Sequence, residues 1–177
     1  MKAKAKCKFD FDSIKAVTLL SIYKKSNPKK TVQIRTILCL ALILIIVTEL
    51  IAFGFDFVPI ILIVADLLVI VFDLFMYFVL PRIRYKSLAK IKDLENCYLF
   101  SDDAVKIFSK SKEYNGEAEI EYSLFIKVYE TSKYFFLYQT NNQVLLVDKL
   151  TIEGGSVDEI RNKLSSFVKD KYFICKY

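Results

Sequence analysis

Three carboxylic acids lie within long apolar stretches of the sequence: Glu49 in the first stretch, and Asp66 and Asp73 in the second. Asp66 and Asp73 are seven residues apart, so a helix would carry them on one face, about two turns apart. Counted from the ends of the stretches, Glu49 falls at nearly the depth of Asp66. An acid in a bilayer costs roughly 2.5–3.5 kcal/mol on insertion scales, and neither stretch contains Lys, Arg or His. We therefore expect that the three acids are not all ionised.

Two roles would suit such acids. In a structural role, protonated carboxyl groups hydrogen-bond to each other, to Thr48 or to carbonyl groups, across a helical hairpin or within a homo-oligomer. In a functional role, they line a path for protons or cations, or they meet a basic residue of another membrane protein. A single hairpin has too few helices to enclose a path, so transport would require an oligomer.

The elements that must position these acids are two apolar segments, residues 36–55 and 57–80. Each is long enough for the ~20 residues that cross a hydrocarbon core of ~30 Å. The connection between them is so short that it predicts an antiparallel helical hairpin. A pair of buried helices in a soluble protein is the alternative. The first segment starts too far along the chain, and is too long, for a cleaved signal peptide.

Positive charge is concentrated on both sides of the apolar segments. Residues 1–35 contain ten Lys and Arg against two acids, and residues 81–94 contain five against one. The positive-inside rule therefore predicts that both termini are cytoplasmic. Basic residues beside the segments are candidates for contact with anionic lipid headgroups, although such residues also simply set topology. These candidates are Lys29, Lys30, Arg35, Arg82, Arg84 and Lys86.

Composition argues against several classes of function. The net charge of +6 comes from the flanks of the apolar segments, while residues 95–177 contain eleven Lys and Arg against thirteen acids. We therefore predict membrane lipids, and no nucleic acid, as partners. The chain has no histidine, and its four cysteines lie far apart without a CxxC pair. These counts predict no metal site, no cofactor and no enzymatic activity, with chemistry by carboxylates alone left open.

The remaining sequence predicts a cytoplasmic domain in three pieces: residues 1–35, a juxtamembrane segment at 81–95, and residues 96–177. Within 1–35 we expect a strand over 6–12, a short helix capped by Ser13 and a basic linker. We expect Pro81 to end the second span, and the residues after it to continue as a helix at the membrane surface.

Residues 96–149 alternate between polar and apolar side chains, which is typical of short antiparallel strands joined by hairpins. In one of these runs three glutamates share a face that we expect to be solvated. Another run is rich in aromatic residues, which we expect to fill a core. The predicted strands are 96–100, 104–108, 117–122, 124–130, 134–139 and 144–149.

The chain then returns to helical spacing. Ser156 and Glu159 form a capping box, and an apolar stripe follows it. The stripe consists of Val157, Ile160, Leu164, Phe167 and Val168. The predicted fold class is a membrane α-helical hairpin plus an α+β cytoplasmic domain, in which a pleckstrin-homology-like β-barrel or sheet is covered by a C-terminal amphipathic helix. Other α+β arrangements of this domain fit the same periodicity.

The run IEYSLFIKVYETSKYFFLYQTNNQVLLVDK, residues 120–149, resembles the C-terminal domain of the YcxB-like family of bacterial membrane proteins. The family commonly has a Pro-Lys pair after the last of these strands, and here Asp148-Lys149 keeps only the lysine. The resemblance implies two transmembrane helices, a cytoplasmic domain akin to bacterial pleckstrin-homology folds, and a bacterial inner-membrane location. It supplies no catalytic residues.

The sequence therefore predicts a non-enzymatic membrane protein whose cytoplasmic domain senses, scaffolds or regulates by binding a protein or lipid partner. The main alternative is a small oligomeric ion or proton transporter or channel subunit that uses Glu49, Asp66 and Asp73. A membrane-bound enzyme that uses cytoplasmic carboxylates is a third reading. A homo-oligomer or a second membrane protein are further partners that these acids would favour.

Overall fold

The computed structural model describes residues 3–24, 26–54, 57–88, 94–111 and 115–175. The chain forms two compact units. Residues up to Val17 and those from Tyr85 onward form the first, which we call the sheet domain, and Thr18–Arg84 form the second, which we call the hairpin unit. The loop expected between the two spans, and residues 89–93 of the juxtamembrane segment, lie outside the described residues.

The hairpin unit is built on two long helices that pack against each other, α2 (Pro28–Phe53) and α3 (Phe57–Leu74). Helix α2 and the helical run that begins with α3 are both long and apolar enough to cross a membrane. Only 6% of the most apolar window of each is buried within the chain. Their apolar side chains therefore point mostly outward, whereas the core helix of a soluble protein would bury them.

Helix α2 begins earlier than hydropathy alone predicts. The side chain of Asn27 accepts a hydrogen bond from the backbone nitrogen of Lys30 at 3.2 Å, and Pro28 occupies the first helical position. Both features are typical of helix starts. The basic linker expected over the end of residues 1–35 is therefore helical from Pro28 onward. The helix ends at Gly54, whose φ of 93° costs glycine little.

The chain stays helical past Pro81, as expected of the residues after it, and the interruption expected at this proline is a π-helical turn just before it. After α3 the chain makes one π-helical turn, Phe75–Val79, and then continues as α4 (Leu80–Ser87). Leu80 donates its backbone N–H to the carbonyl of Phe75, five residues earlier. Proline lacks an N–H, and its ring crowds the carbonyl four residues before it in an α-helix. The wider turn before Pro81 relieves that conflict.

The N-terminal helix α1 (Phe11–Tyr23) is capped by Asp10, not by Ser13 as expected. Asp10 Oδ1 accepts a hydrogen bond from the backbone nitrogen of Ser13 at 2.8 Å. Because the helix capped by Asp10 begins at Phe11, the strand predicted over 6–12 ends at Lys8. Strand β1 covers Ala3–Lys8.

The first sheet of the sheet domain is an antiparallel meander in the order β1-β2-β3-β4. Its later strands are β2 (Glu95–Phe100), β3 (Ala104–Lys110) and β4 (Asn115–Glu121). Strand β1 pairs with β2 from Ala3 opposite Phe100 to Lys8 opposite Glu95, so the sheet joins chain from before and after the hairpin unit.

The second sheet has the order β7-β6-β5-β8. Strands β5 (Lys127–Glu130), β6 (Tyr134–Tyr138) and β7 (Val144–Asp148) are antiparallel, and β8 (Tyr172–Ile174) pairs parallel to β5. Each of the six predicted strands has a counterpart. The hairpins expected between β5 and β6 and between β6 and β7 are confirmed. The 3₁₀ turn Tyr122–Leu124 separates β4 from β5, and these two strands belong to different sheets.

Helix α5 (Val157–Val168) carries the predicted capping box, which is confirmed. Ser156 Oγ accepts from the backbone nitrogen of Glu159 at 3.1 Å, and Glu159 Oε2 accepts from the backbone nitrogen of Ser156 at 3.0 Å. Ile160, Leu164 and Val168 of the predicted stripe are buried, but Phe167 is 43% exposed.

A buried core fills the sheet domain. The aromatic strand β6 is buried along its whole length, as expected of core residues. The largest side chains that are less than 2% exposed come from both sheets, from the turn after β4 and from α5: Tyr98, Phe100, Val105, Tyr122, Val128, Phe135, Phe136, Leu137, Leu146, Ile160 and Leu164. The coarse fold prediction, two apolar helices with an α+β domain of open sheets and a C-terminal helix, is confirmed.

Candidate functional site

The six basic residues predicted to meet lipid headgroups are all exposed. Three of them lie in α2 and three in α4, so all stand on helices that are continuous with the apolar spans. Arg84 Nη1 also lies 3.5 Å from the hydroxyl of Ser21. The positions are Lys29, Lys30, Arg35, Arg82, Arg84 and Lys86.

Arg35 is paired with Asp73, and the expectation that this acid has no base within reach is wrong. Arg35 Nη1 donates to Asp73 Oδ1 at 3.0 Å across α2 and α3. The Asp73 side chain is 3% exposed, and the Arg35 side chain is 50% exposed. The base was missed because hydropathy starts the first span at residue 36, whereas the helix that carries Arg35 starts at Pro28.

The pair lies near the open end of the hairpin. Arg35 precedes Gly54 by 19 residues and Asp73 follows Phe57 by 16, so each is roughly 24–28 Å from the connection at 1.5 Å per residue. In a hydrocarbon core of ~30 Å, this depth is close to the boundary opposite the connection. A long arginine side chain can reach polar headgroups from such a depth.

The carboxylate of Asp73 is only partly satisfied. Its second oxygen, Oδ2, is buried and accepts no hydrogen bond from any residue that the structure describes. The hydroxyl of Tyr23, also in the hairpin unit, is likewise buried without a hydrogen-bond partner among the described residues. A groove of about 550 Å³ runs beside Arg35 and is lined by apolar side chains of α3, including Leu68 and Phe72.

The other two intramembrane acids are placed differently. Glu49 is exposed on α2, and Asp66 is half-buried on α3. Neither forms a hydrogen bond or ion pair with another residue in the described part of the chain. The structure therefore brings one of the three acids to a base, and the structural and functional roles predicted for Glu49 and Asp66 stay predictions.

The sheet domain contains a buried carboxylate that the sequence reading missed. Glu130, at the end of β5, has a side chain only 3% exposed. Arg161 of α5 donates hydrogen bonds to both carboxylate oxygens: Nε lies 2.8 Å from Oε2, and Nη2 lies 2.6 Å from Oε1. Lys149 Nζ lies 2.5 Å from Oε1, and the hydroxyl of Tyr172 lies 2.5 Å from Oε2.

These contacts set the charge state of the cluster. Burial alone would raise the pKa of Glu130, but the hydrogen bonds from Arg161, Lys149 and Tyr172 lower it to about 2. Burial and the Glu130 carboxylate raise the pKa of the Tyr172 hydroxyl. The carboxylate is thus ionised near neutral pH and joins β5, the turn after β7, α5 and the start of β8. We assign it a structural role, because its hydrogen bonds hold these four elements together.

The missed signal was in the alternation of β5. Val128 and Glu130 point to the same buried face, so an acid stood at an inward position of a predicted strand. A cleft of about 410 Å³ opens beside this cluster and includes Thr131 and Cys175. The described residues contain no group of three or more His, Cys, Asp or Glu side chains that could hold a metal ion.

A second groove, of about 540 Å³, lies in the sheet domain beside strand β4. Its lining combines the acids Asp103, Glu119 and Glu121 with the apolar side chains of Leu124 and Phe167. The three glutamates of β4 are exposed, which confirms the predicted solvated face. Leu124 is 59% exposed. The ring of Phe167 packs against the ring of Tyr122, and the two ring centroids lie 5.2 Å apart.

Residues 100–164 match the family model described as YcxB-like protein. This segment is a YcxB-like domain. The match covers β3–β7 and most of α5, and it extends the resemblance stated from residues 120–149. The YcxB-like segment contains Glu130, Lys149 and Arg161 of the buried cluster and most of the groove beside β4. No curated protein and no solved structure matches the chain.

Proposed function

We propose that this chain is a bacterial inner-membrane protein whose hairpin unit is a two-helix anchor and whose sheet domain is a non-enzymatic sensing or scaffolding module. Both termini would be cytoplasmic, since basic residues flank the apolar helices on the sides away from their connection. The exposed cations on α2 and α4 would then contact anionic lipid headgroups, at about 1 kcal/mol each.

The fold of the module supports a pleckstrin-homology-like assignment. Two four-stranded sheets carry a common core, and the amphipathic helix α5 follows them and buries Ile160 and Leu164 in it. Folds of this kind host unrelated functions, so the role as a binding module rests on the surface of the domain and not on its architecture.

The observation that carries the proposal is the groove beside β4. Exposed apolar side chains that lie together and are rimmed by polar residues mark candidate interaction sites. Here Leu124 and Phe167 are exposed side chains in one groove, and the groove is rimmed by acids. Its volume of about 540 Å³ lies in the range of ligand sites, ≈300–1,000 Å³.

In-cell photo-crosslinking tests the proposal on the full chain. A photoreactive residue at Leu124 should form an adduct with one protein, or with lipid, that mass spectrometry identifies reproducibly. The matched position is Leu150, which is 82% exposed in the same domain but outside the groove, and it should not form that adduct. Reporter fusions at both termini should give a cytoplasmic signal. Equal adducts at the two positions, or an external terminus, would contradict the proposal.

The placement of Glu49 and Asp66 favours a second candidate, the oligomeric ion or proton transporter or channel subunit. Both acids lie on apolar helices without a described partner, and a second copy of the hairpin would provide one at lower cost than lipid. Proton or cation flux in liposomes that disappears in Asp66→Asn would support this candidate. Absent flux, together with an altered oligomer size in Asp66→Asn, would leave only a structural role.

A further inference from the structure

Strand β4 forms one end of the first sheet. In the described part of the chain it has a single neighbouring strand, β3, with Ala104 opposite Glu121 and Lys110 opposite Asn115. Five of its seven residues are exposed. Along such an edge, every second residue directs its N–H and C=O groups away from the sheet, where another extended chain can pair with them.

The groove lies at the end of β4, on the face that carries Glu119 and Glu121, and supplies the apolar contacts that an edge alone lacks. Leu124 stands at the end of the 3₁₀ turn that follows β4, and Phe167 reaches the same groove from α5. The two side chains are 59% and 43% exposed. A peptide added to β4 would therefore meet both main-chain pairing groups and an apolar surface, which is the usual combination in recognition by strand addition.

The negative charge of this surface favours a positively charged partner. Glu117, Glu119 and Glu121 project from the same face of β4, and Asp103 adds a fourth acid at the groove. Lys106 Nζ lies 3.5 Å from Glu119 Oε2, but both side chains are exposed to solvent, so this ion pair is weak. A strand that presented Lys or Arg opposite the glutamates would gain cross-strand attraction.

The same charges argue against a second copy of this chain as the occupant. Antiparallel pairing of β4 with β4 of another copy would set two rows of glutamates against each other. Like charges directly opposite in a sheet are destabilising. Acids on an edge strand also protect against such self-pairing. Protection from self-pairing does not explain why Leu124 and Phe167 are exposed beside the strand. Their exposure therefore needs another explanation.

We propose that β4 and its groove bind an extended segment of another protein, in which Lys or Arg alternates with apolar residues. The cations face Glu117, Glu119 and Glu121, and an apolar side chain two positions beyond the last of them, on the same face, covers Leu124 and Phe167. This inference rests on the proposed function and names the chemistry of the partner at the same site.

A synthetic peptide tests the inference directly. The probe is the labelled heptapeptide Lys-Val-Lys-Val-Lys-Val-Leu, whose three lysines and terminal leucine share one face, and the full chain is held in nanodiscs of zwitterionic phosphatidylcholine, so that the peptide is not drawn to anionic lipid. Fluorescence anisotropy should give saturable binding that weakens as salt is raised. The peptide Glu-Val-Glu-Val-Glu-Val-Leu should bind at least tenfold more weakly, as should the lysine peptide with its central valine replaced by proline.

Variants of the chain separate the parts of the site. Glu119→Lys with Glu121→Lys should weaken binding of the lysine peptide at least tenfold, and Leu124→Asp should weaken it several-fold. Glu95→Lys is the matched control, because Glu95 is an exposed acid of the same sheet on β2. It should leave binding within twofold. Unchanged near-ultraviolet circular dichroism of each variant would show that the core is intact.

Equal binding of the lysine peptide to the Glu119→Lys, Glu121→Lys variant would overturn the inference, as would equal binding of its proline version. No binding of the lysine peptide to the unmodified chain would also overturn it. These results leave the proposed function standing if the photo-crosslink from Leu124 still identifies a partner. Loss of that crosslink, with the peptide still binding, would instead count against the proposed function.

Discussion

Glu130 of β5 and Arg161 of α5 are 31 positions apart in the chain and form a bidentate salt bridge, with Nε 2.8 Å from Oε2 and Nη2 2.6 Å from Oε1. The acid is almost fully buried, and Lys149 supplies a second cation at 2.5 Å. The contact ties the C-terminal helix to the second sheet. Both partners lie within the YcxB-like segment, so the contact belongs to the matched domain.

Replacement of Glu130 should destabilise the sheet domain. Glu130→Ala leaves Lys149, whose side chain is 9% exposed, without its carboxylate, and breaking a buried pair typically costs 3–5 kcal/mol. We expect the free energy of unfolding to fall by about 3 kcal/mol, measured by urea titration in detergent with near-ultraviolet circular dichroism. Glu117→Ala removes an exposed acid and should change it by less than about 0.5 kcal/mol. Equal effects of the two changes would refute the structural role of the cluster.

The same cluster should make the domain sensitive to acid. The pKa of Glu130 is lowered from 4.5 to about 2 in the folded chain, so the unfolded chain binds the proton more readily. The stabilisation is therefore complete above pH 4.5 and is lost as the pH falls from 4.5 towards 2, by up to about 3 kcal/mol. Urea midpoints across this interval should fall less steeply for Glu130→Gln than for the unmodified chain. Parallel profiles would show that another group causes the acid sensitivity.

The Arg35–Asp73 pair should stabilise the packing of α2 on α3. Arg35→Leu leaves a buried carboxylate without its cation, which should lower the stability of the hairpin unit by about 3 kcal/mol. Replacing both residues by leucine should restore much of that loss, giving a double-mutant coupling above about 1 kcal/mol. Thermal unfolding in detergent measures both quantities. Lys30→Leu is the matched control, since Lys30 is an exposed cation of the same helix, and its effect should be small. Additive losses from the two single changes would argue against the pair.

The capping box of α5 offers a local test. Ser156→Ala removes the acceptor for the backbone nitrogen of Glu159, and loss of such a cap typically costs about 1 kcal/mol. Ser156→Asp should retain most of the stability, because aspartate is an equally good cap and favours a helix start. Urea unfolding of the sheet domain reports both changes. Ser166→Ala, on the same helix but away from its start, should have little effect, and a comparable loss there would point to helix propensity instead of capping.

Local patterns in the sequence predicted much of the fold. Alternation located six strands, and the Ser156–Glu159 spacing located the start of the C-terminal helix. These features depend on residues close together in the chain. The pairing of β1 with β2 was not predictable in the same way, because Ala3 and Phe100 are joined only by tertiary structure. Similarly, nothing local indicates that β4 and β5 part into two sheets.

The candidate sites show the same division. Hydropathy identified Asp73 as an acid in an apolar helix, but it placed Arg35 outside the span and so concealed the ion pair. Phe167 fits an apolar stripe by spacing, yet the helix exposes it to a groove whose other wall comes from the turn after β4. A stripe identifies which side chains share a helix face, whereas only the packing decides which of them remain open to a partner.

The pairing of β1 with β2 also fixes an order of events during synthesis. Ala3 leaves the ribosome more than ninety residues before Phe100, and both apolar helices are made in between. At roughly 5–20 residues per second, the first strand waits several seconds or longer for its partner. Its exposed lysines, Lys6 and Lys8, alternate with small buried side chains and would keep the waiting strand soluble. The first sheet can therefore be completed only after the apolar helices have been made, which makes biogenesis of the domain dependent on theirs.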